Sequence, residues 1–160
     1  MKLITLFLLV GFLAVSGWAE DKAIYSPELV KRAELGDANA QCDLGICYFE
    51  GTGVPMNEKK AVEWYKKSAE KGNAYAQCLL GVCLSNGNGI TKNERESLRW
   101  ITKSAEQGDA IGQFNLGAVY MQGIGVPKDK KKCVIWWTKA AEQESLVSGE
   151  HLVISRLCKR

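Results

Sequence analysis

Asp37–Gly72 is followed without a gap by two further stretches of the same length, Asn73–Gly108 and Asp109–Glu144, at a fixed offset of 36 residues. The agreement runs column by column: Gln41/Gln77/Gln113, Leu44/Leu80/Leu116, Gly45/Gly81/Gly117, Gly51/Gly87/Gly123, Gly53/Gly89/Gly125, Trp64/Trp100/Trp136 and Ala69/Ala105/Ala141. Such a period constrains the fold more than composition does. A unit this short cannot bury its own apolar faces and must stack on copies of itself.

Each unit reads as a helical hairpin. Asp37, Asn73 and Asp109 are N-cap residues, and each opens a small-residue, amphipathic helix A. In the first unit Ala40, Leu44 and Cys47 fall at i, i+4, i+7 and make a buried stripe. Helix A ends at Gly51, Gly87 or Gly123, where glycine takes the left-handed conformation that closes a helix. The loops Gly-Thr-Gly-Val-Pro, Gly-Asn-Gly-Ile-Thr and Gly-Ile-Gly-Val-Pro lead to a second set of N-caps, Asn57, Asn93 and Asp129. Helix B then carries Ala61, Trp64, Tyr65, Ser68 and Ala69 inward and lysines outward, ending at Gly72 or Gly108. Gly45, Gly81 and Gly117 sit mid-helix, where glycine costs about 1 kcal/mol against alanine. Three recurrences in one column predict that another helix approaches closely there.

The ends complete the array. Ser26-Pro27-Glu28 starts a helix by the N-cap and N1-proline rule; it has helix B phase and caps the N-terminal end as a half-repeat, 20–36. Residues 145–160 are expected to form the C-terminal capping helix. At the start, Lys2, the apolar run Leu3–Val15 and Gly17-Trp18-Ala19 read as a signal peptide, residues 1–19, cleaved after Ala19. The run falls short of the ~20 residues of a spanning helix, so no membrane insertion is expected after cleavage, and the mature chain is placed as secreted or periplasmic. A formal charge of +3 spread over mixed acids and bases gives no footprint for nucleic acid.

The pattern Ala-x-Ala-Gln-x-x-Leu-Gly-x-x-Tyr-x-x-Gly-x-Gly-Val, followed by Lys-Ala-x-x-Trp-Tyr-x-Lys-Ala-Ala-Glu-x-Gly, resembles the Sel-one-like repeat (SLR) family, relatives of the tetratricopeptide repeat. The resemblance covers essentially the mature chain. It implies an all-α, right-handed superhelical solenoid of antiparallel helix pairs, in an exported bacterial member acting as an adaptor or scaffold. The second unit departs most, with Leu84 for the tyrosine, Thr91 for the proline and Ile101 for the aromatic after Trp100. These changes bear on packing.

Little in the chain points to catalysis, and no cofactor is implied. The Gly-x-Gly loops lack the preceding strand of a phosphate cradle. Ser68-Ala69-Glu70-Lys71 matches Ser-x-x-Lys, and one branch of the family, the cysteine-rich Helicobacter proteins, is linked to β-lactams. An envelope β-lactam- or peptidoglycan-fragment-binding or hydrolysing protein is therefore the alternative reading. Yet the same column holds Ser104 and Ala140, and no Ser-Asp-Asn or Lys-Thr-Gly accompanies it. His151, the one histidine, has no nucleophile column, and without Cys-x-x-Cys a zinc site has no support. Cys42, Cys47, Cys78, Cys83, Cys133 and Cys158 are possible disulfide cysteines in an exported chain. Cys42/Cys47 and Cys78/Cys83 lie five apart on helix A, which turns them away from each other. The inter-repeat pairs Cys47–Cys78 and Cys42–Cys83 each carry an axial offset of about 7.5 Å, and Cys133–Cys158 would tie the last helix B to its cap. The other reading is a set of buried thiols.

What remains is a surface. Opposite the core stripe, helix A presents Asn39, Asp43, Ile46 and Glu50, then Tyr75, Leu79, Val82 and Asn86, then Ile111, Asn115, Ala118 and Gln122. Stacking sets these side by side as rungs of mixed polarity with apolar residues in the middle. The resemblance makes this face concave. A protein or peptide partner on it, bound by a monomer, is the expected function.

Overall fold

The computed structural model describes residues 24–148, with side chains described as far as 143. Seven helices and no strand occur among these residues: α1 (Pro27–Glu34), α2 (Ala38–Glu50), α3 (Glu58–Glu70), α4 (Ala74–Asn86), α5 (Glu94–Glu106), α6 (Ala110–Gln122) and α7 (Lys130–Ser148). Consecutive helices pack on one another along the chain, and α4 also touches α6. The fold is an all-α repeat array.

The helix starts follow from side-chain oxygens that satisfy otherwise orphaned backbone N–H groups. Ser26 Oγ accepts from Leu29. Asp37, Asn73 and Asp109 accept from Ala40, Ala76 and Gly112. Asn57, Asn93 and Asp129 accept from Lys60, Glu96 and Lys132. Helix A ends each time on a left-handed glycine, Gly51, Gly87 or Gly123, with φ of 73°, 81° and 78°. Where the column loses its glycine, the stop goes too. Gly72 and Gly108 end α3 and α5, but the equivalent residue is Glu144, and α7 continues unbroken to Ser148. Residues 145–148, expected to open a capping helix, are thus the last turn of α7. The rest of that cap, with His151 and Cys158, and the signal peptide of residues 1–19 lie outside the described residues.

The interior is shared between units. One cluster joins Cys42, Ala61 and Tyr65 of the first unit to Leu80, Leu84 and Trp100 of the second, and Ile101, Ala105, Leu116 and Val119 form another across the second and third. The N-terminal half-repeat closes its end with Ala33 against Ala40 and Leu44. Inside each hairpin, the mid-helix glycine lies against the residue after the tryptophan. A Cβ on Gly45 would come within 2.6 Å of the Tyr65 ring, and one on Gly81 within 2.5 Å of Ile101 Cγ1 and 3.2 Å of the Ser97 carbonyl. The second glycine of the Gly-x-Gly loops joins neighbouring units instead. A Cβ on Gly89 would meet the Lys59 amide nitrogen at 2.8 Å, and one on Gly125 the Glu94 carbonyl oxygen at 2.6 Å.

Gly81→Ala tests this close approach. The helix alone would gain roughly 1 kcal/mol from the replacement, yet the protein is expected to lose roughly 1–3 kcal/mol, because the methyl meets Ile101 and α5 backbone. Denaturant unfolding monitored by far-UV circular dichroism reads the sign.

Candidate functional site

The twelve residues read as a binding face do lie on α2, α4 and α6, but they are not equally available. Asn39, Glu50 and Asn86 are exposed; Asp43, Ile46, Tyr75, Val82, Ile111, Asn115 and Gln122 are half-buried. Leu79 and Ala118 retain only 5% and 7% of their surface. For Leu79 the reason is positional. α4 has a helix A on either side, so its middle rung is covered, and Ile46 and Tyr75 pack onto the same cluster as Leu79. Polar side chains tie the rungs: Asn73 Nδ2 donates to Asn39 Oδ1 at 2.8 Å, and Asn115 Nδ2 donates to the Ile111 carbonyl at 2.9 Å and to Cys78 Sγ at 3.3 Å. What solvent can reach is a strip of half-buried apolar and aromatic side chains, Ile46, Tyr75, Val82 and Ile111, bordered by Asn39, Glu50, Asn86 and Gln122.

Electrostatically the strip is quiet. Burial raises the Asp43 carboxyl above its ordinary range, with Asp37 adding to the effect and Arg32 opposing it. Burial likewise raises the Tyr75 hydroxyl. Cys42, Cys47, Cys78, Cys83 and Cys133 are all buried. Cys42 and Cys83 are pushed up to about 12, by burial first and then by Asp43 and Asp109 or by Glu58. Burial drives Cys78 higher still. Cys42, Cys78 and Cys83 stand as thiols, so neither the Cys47–Cys78 nor the Cys42–Cys83 bridge is present. Thiols held this far from ionisation are packing groups and poor nucleophiles.

Ser68, the serine of Ser-x-x-Lys, is fully buried. Its hydroxyl donates to the Ala38 carbonyl at 2.6 Å, fastening α3 to the start of α2. Ser104 in the same column is equally buried and donates to Asp109 Oδ1 at 3.2 Å. Among the described residues, no group of three or more His, Cys, Asp or Glu side chains could hold a metal ion.

Two features escaped the sequence reading. Each tryptophan of helix B carries a lysine ammonium over its ring: Lys67 on Trp64 at 3.9 Å, Lys103 on Trp100 at 4.7 Å and Lys139 on Trp136 at 4.3 Å. The Trp-x-x-Lys column was there to be found, since i and i+3 share a helix face, and exposed pairs of this kind are worth about 0.5–1 kcal/mol. The second is the role of the glutamine column. Gln41, Gln77 and Gln113 are buried and donate to the carbonyls of Ala33, Ala69 and Ala105 at 3.0, 3.1 and 3.4 Å, pinning each helix A to the preceding helix B.

The buried thiols make two expectations. In native protein at pH 8, iodoacetamide should modify Cys42, Cys78 and Cys83 roughly a hundredfold or more slowly than in guanidinium. Peptide mapping by mass spectrometry checks it, and a bridge would show as resistance in guanidinium that reduction removes. Because the folded thiols ionise later than the unfolded ones, their contribution is complete below the ordinary thiol value of ~8.5. It is lost as pH rises from there towards 12. Melting temperature should fall over that range, with a shallower slope in Cys42→Ala and Cys83→Ala.

The geometry matches known proteins. The family model described as Sel1 repeat fits residues 38–73, 74–109 and 110–145. The crystal structure of a protective antigen present in uropathogenic Escherichia coli strains, displaying an SLR fold, is similar at 43% identity and a TM-score of 0.69, over 72% of this chain and 25% of that one. A Sel1 repeat protein from Oxalobacter formigenes is similar at 29% identity and a TM-score of 0.69, over 74% of this chain and 47% of that one. This chain thus spans a quarter of the first and about half of the second. Cysteine-rich protein B of Helicobacter pylori, at 24% identity and a TM-score of 0.56 over 72% of this chain and 82% of that one, shares the fold. No curated protein matches the sequence. With three matched units accounting for most of its length, the chain belongs to the Sel1 repeat family.

Proposed function

We propose that this protein is an exported helical-repeat scaffold that takes a protein or peptide partner on its helix A face, without catalysing a reaction. The repeat fold suits a role in protein interaction. The observation that carries the choice of face is the strip of Ile46, Tyr75, Val82 and Ile111. These four apolar and aromatic side chains stand half-open on three adjacent helices, framed by amides and a carboxylate. A partner would bury what remains of them, and the surrounding polar groups would set its register. Leu79 lies buried in the cluster onto which Ile46 and Tyr75 pack. Export is read from residues 1–19, and no helix among the described residues is long and apolar enough to cross a membrane.

A photo-crosslinking residue placed at Val82 should trap a discrete partner from extracts of the source cell, whereas one at Glu63, on the exposed side of α3, should not. Val82→Asp and Ile46→Asp are expected to weaken capture at least tenfold with circular dichroism unchanged. Equal trapping from both positions would overturn the choice of face. Nitrocefin turnover that Ser68→Ala abolishes would overturn the non-catalytic reading.

A further inference from the structure

The first unit treats its buried glutamine differently from the other two, and that glutamine lines a cavity. In all three, the side-chain nitrogen donates to the alanine carbonyl of the preceding helix B. In the second and third, the side-chain oxygen is also served. Gln107 Nε2 donates to Gln77 Oε1 at 2.7 Å, and Gln143 Nε2 donates to Gln113 Oε1 at 3.0 Å. The corresponding residue of the first unit is Lys71. Its ammonium is taken by the Gly36 carbonyl, and Oε1 of Gln41, a residue only 4% exposed, has no hydrogen-bond partner. Gln41 lines a cavity of about 610 Å³ between the end of α1 and α3, whose walls include Trp64, Lys67, Lys71, Glu34 and Glu70.

We propose that this cavity is a binding site for the side-chain carboxamide of a glutamine on a partner polypeptide, whose N–H donates to Gln41 Oε1. The inference is independent of the helix A face. An acceptor buried without a donor needs an N–H or O–H group to compensate its lost hydration. An anion would meet it acceptor to acceptor. A cation would meet Lys67, already over the Trp64 ring, and Lys71. Two lysines and two glutamates leave the walls with no net preference for charge. A carboxamide fits all of these conditions, its oxygen accepting from Lys71 once that ammonium leaves Gly36. The same chain shows the arrangement twice, because Gln107 and Gln143 place a carboxamide on this very acceptor in the other two units. Lys71 empties the first seat and, exposed itself, can move aside to admit one from outside.

The test titrates isotopically labelled protein with blocked tripeptides, acetyl-Gly-Gln-Gly-N-methylamide and its Glu and Ala counterparts, following the Gln41 side-chain amide and the Trp64 indole by NMR. The Gln peptide should give saturable shifts at both groups in the millimolar range, with the Glu and Ala peptides at least tenfold weaker. Lys71→Gln should abolish the response, because its own amide takes the seat, and should raise the melting temperature; Lys71→Met should keep the response. Equal binding of the Ala peptide (a backbone amide suffices), equal binding of the Glu peptide, no saturable shift, or full binding by Lys71→Gln would each overturn the proposal.

Discussion

The array depends on helix A offering no side chain of its own where a bulky residue of helix B must sit. At positions 45, 81 and 117 helix A offers only a hydrogen toward helix B, and the space is filled by Tyr65, Ile101 and Trp137 respectively. The partner varies in size and chemistry while the glycine does not. In the third unit the indole makes use of the approach, donating from Trp137 Nε1 to the Phe114 carbonyl at 3.0 Å and stacking on Phe114 with centroids 5.7 Å apart. The polar tip of this half-buried aromatic finds its partner in the close backbone. Fixing the distance between the helices of a hairpin also fixes where the next hairpin must sit. The second glycine of the second and third loops then lies on the first residues of the preceding helix B, Glu58 and Lys59 or Glu94 and Arg95.

The second unit shows that the remaining columns change in company. In the first and third, Lys60 lies over the Tyr48 ring at 5.2 Å and Lys132 over Tyr120 at 5.1 Å. In the second both members differ: Leu84 replaces the ring and Glu96 the cation. Leu84 is buried in the core cluster, and the Asn93 side-chain nitrogen donates to Glu96 Oε2 at 3.4 Å, so the carboxylate turns to the helix start, where it also meets the positive end of the dipole. A lone Leu84 would have left a lysine without its ring. Paired exchange keeps each unit satisfied, which is why the departures visible in the sequence do not disturb the stack.

Most of the fold was legible because a period compares like with like. Caps, terminal glycines and the Ala40–Leu44–Cys47 stripe announce themselves by recurring, and a residue found at the same place three times points to one shared cause. Contacts between unlike columns give no such signal. Gln107 meets Gln77 at a separation of 30 residues, six short of the period, and nothing in either column suggests the other. Burial across the stack is equally silent. Leu79 looks like Asp43 and Asn115 by column, but only Leu79 sits on a helix flanked on both sides. The run of α7 to Ser148 was readable, since Glu144 stands where a stopping glycine belongs; starting a separate cap at residue 145 passed over that local signal.

A repeat protein divides its residues between those that hold neighbours in register and those free to differ, and partner recognition has to come from the second kind. The glutamine nitrogen belongs to the first, since all three donate to the helix before them and losing any one would leave the alanine carbonyl with only its backbone donor, Gly36, Gly72 or Gly108, and untie helix A from that helix. The glutamine oxygen does not share that duty. It can be served by a residue at the end of the following helix B, and Lys71 can replace that residue without loosening the stack, because Gln41 still grips Ala33. The helix A strip obeys the same division. Leu79 is committed to the core cluster, while Ile46 and Tyr75 pack on that cluster and stay half-buried. Residues half-engaged in the array combine a fixed position with exposed surface, which is what a rigid scaffold needs in order to recognise something else.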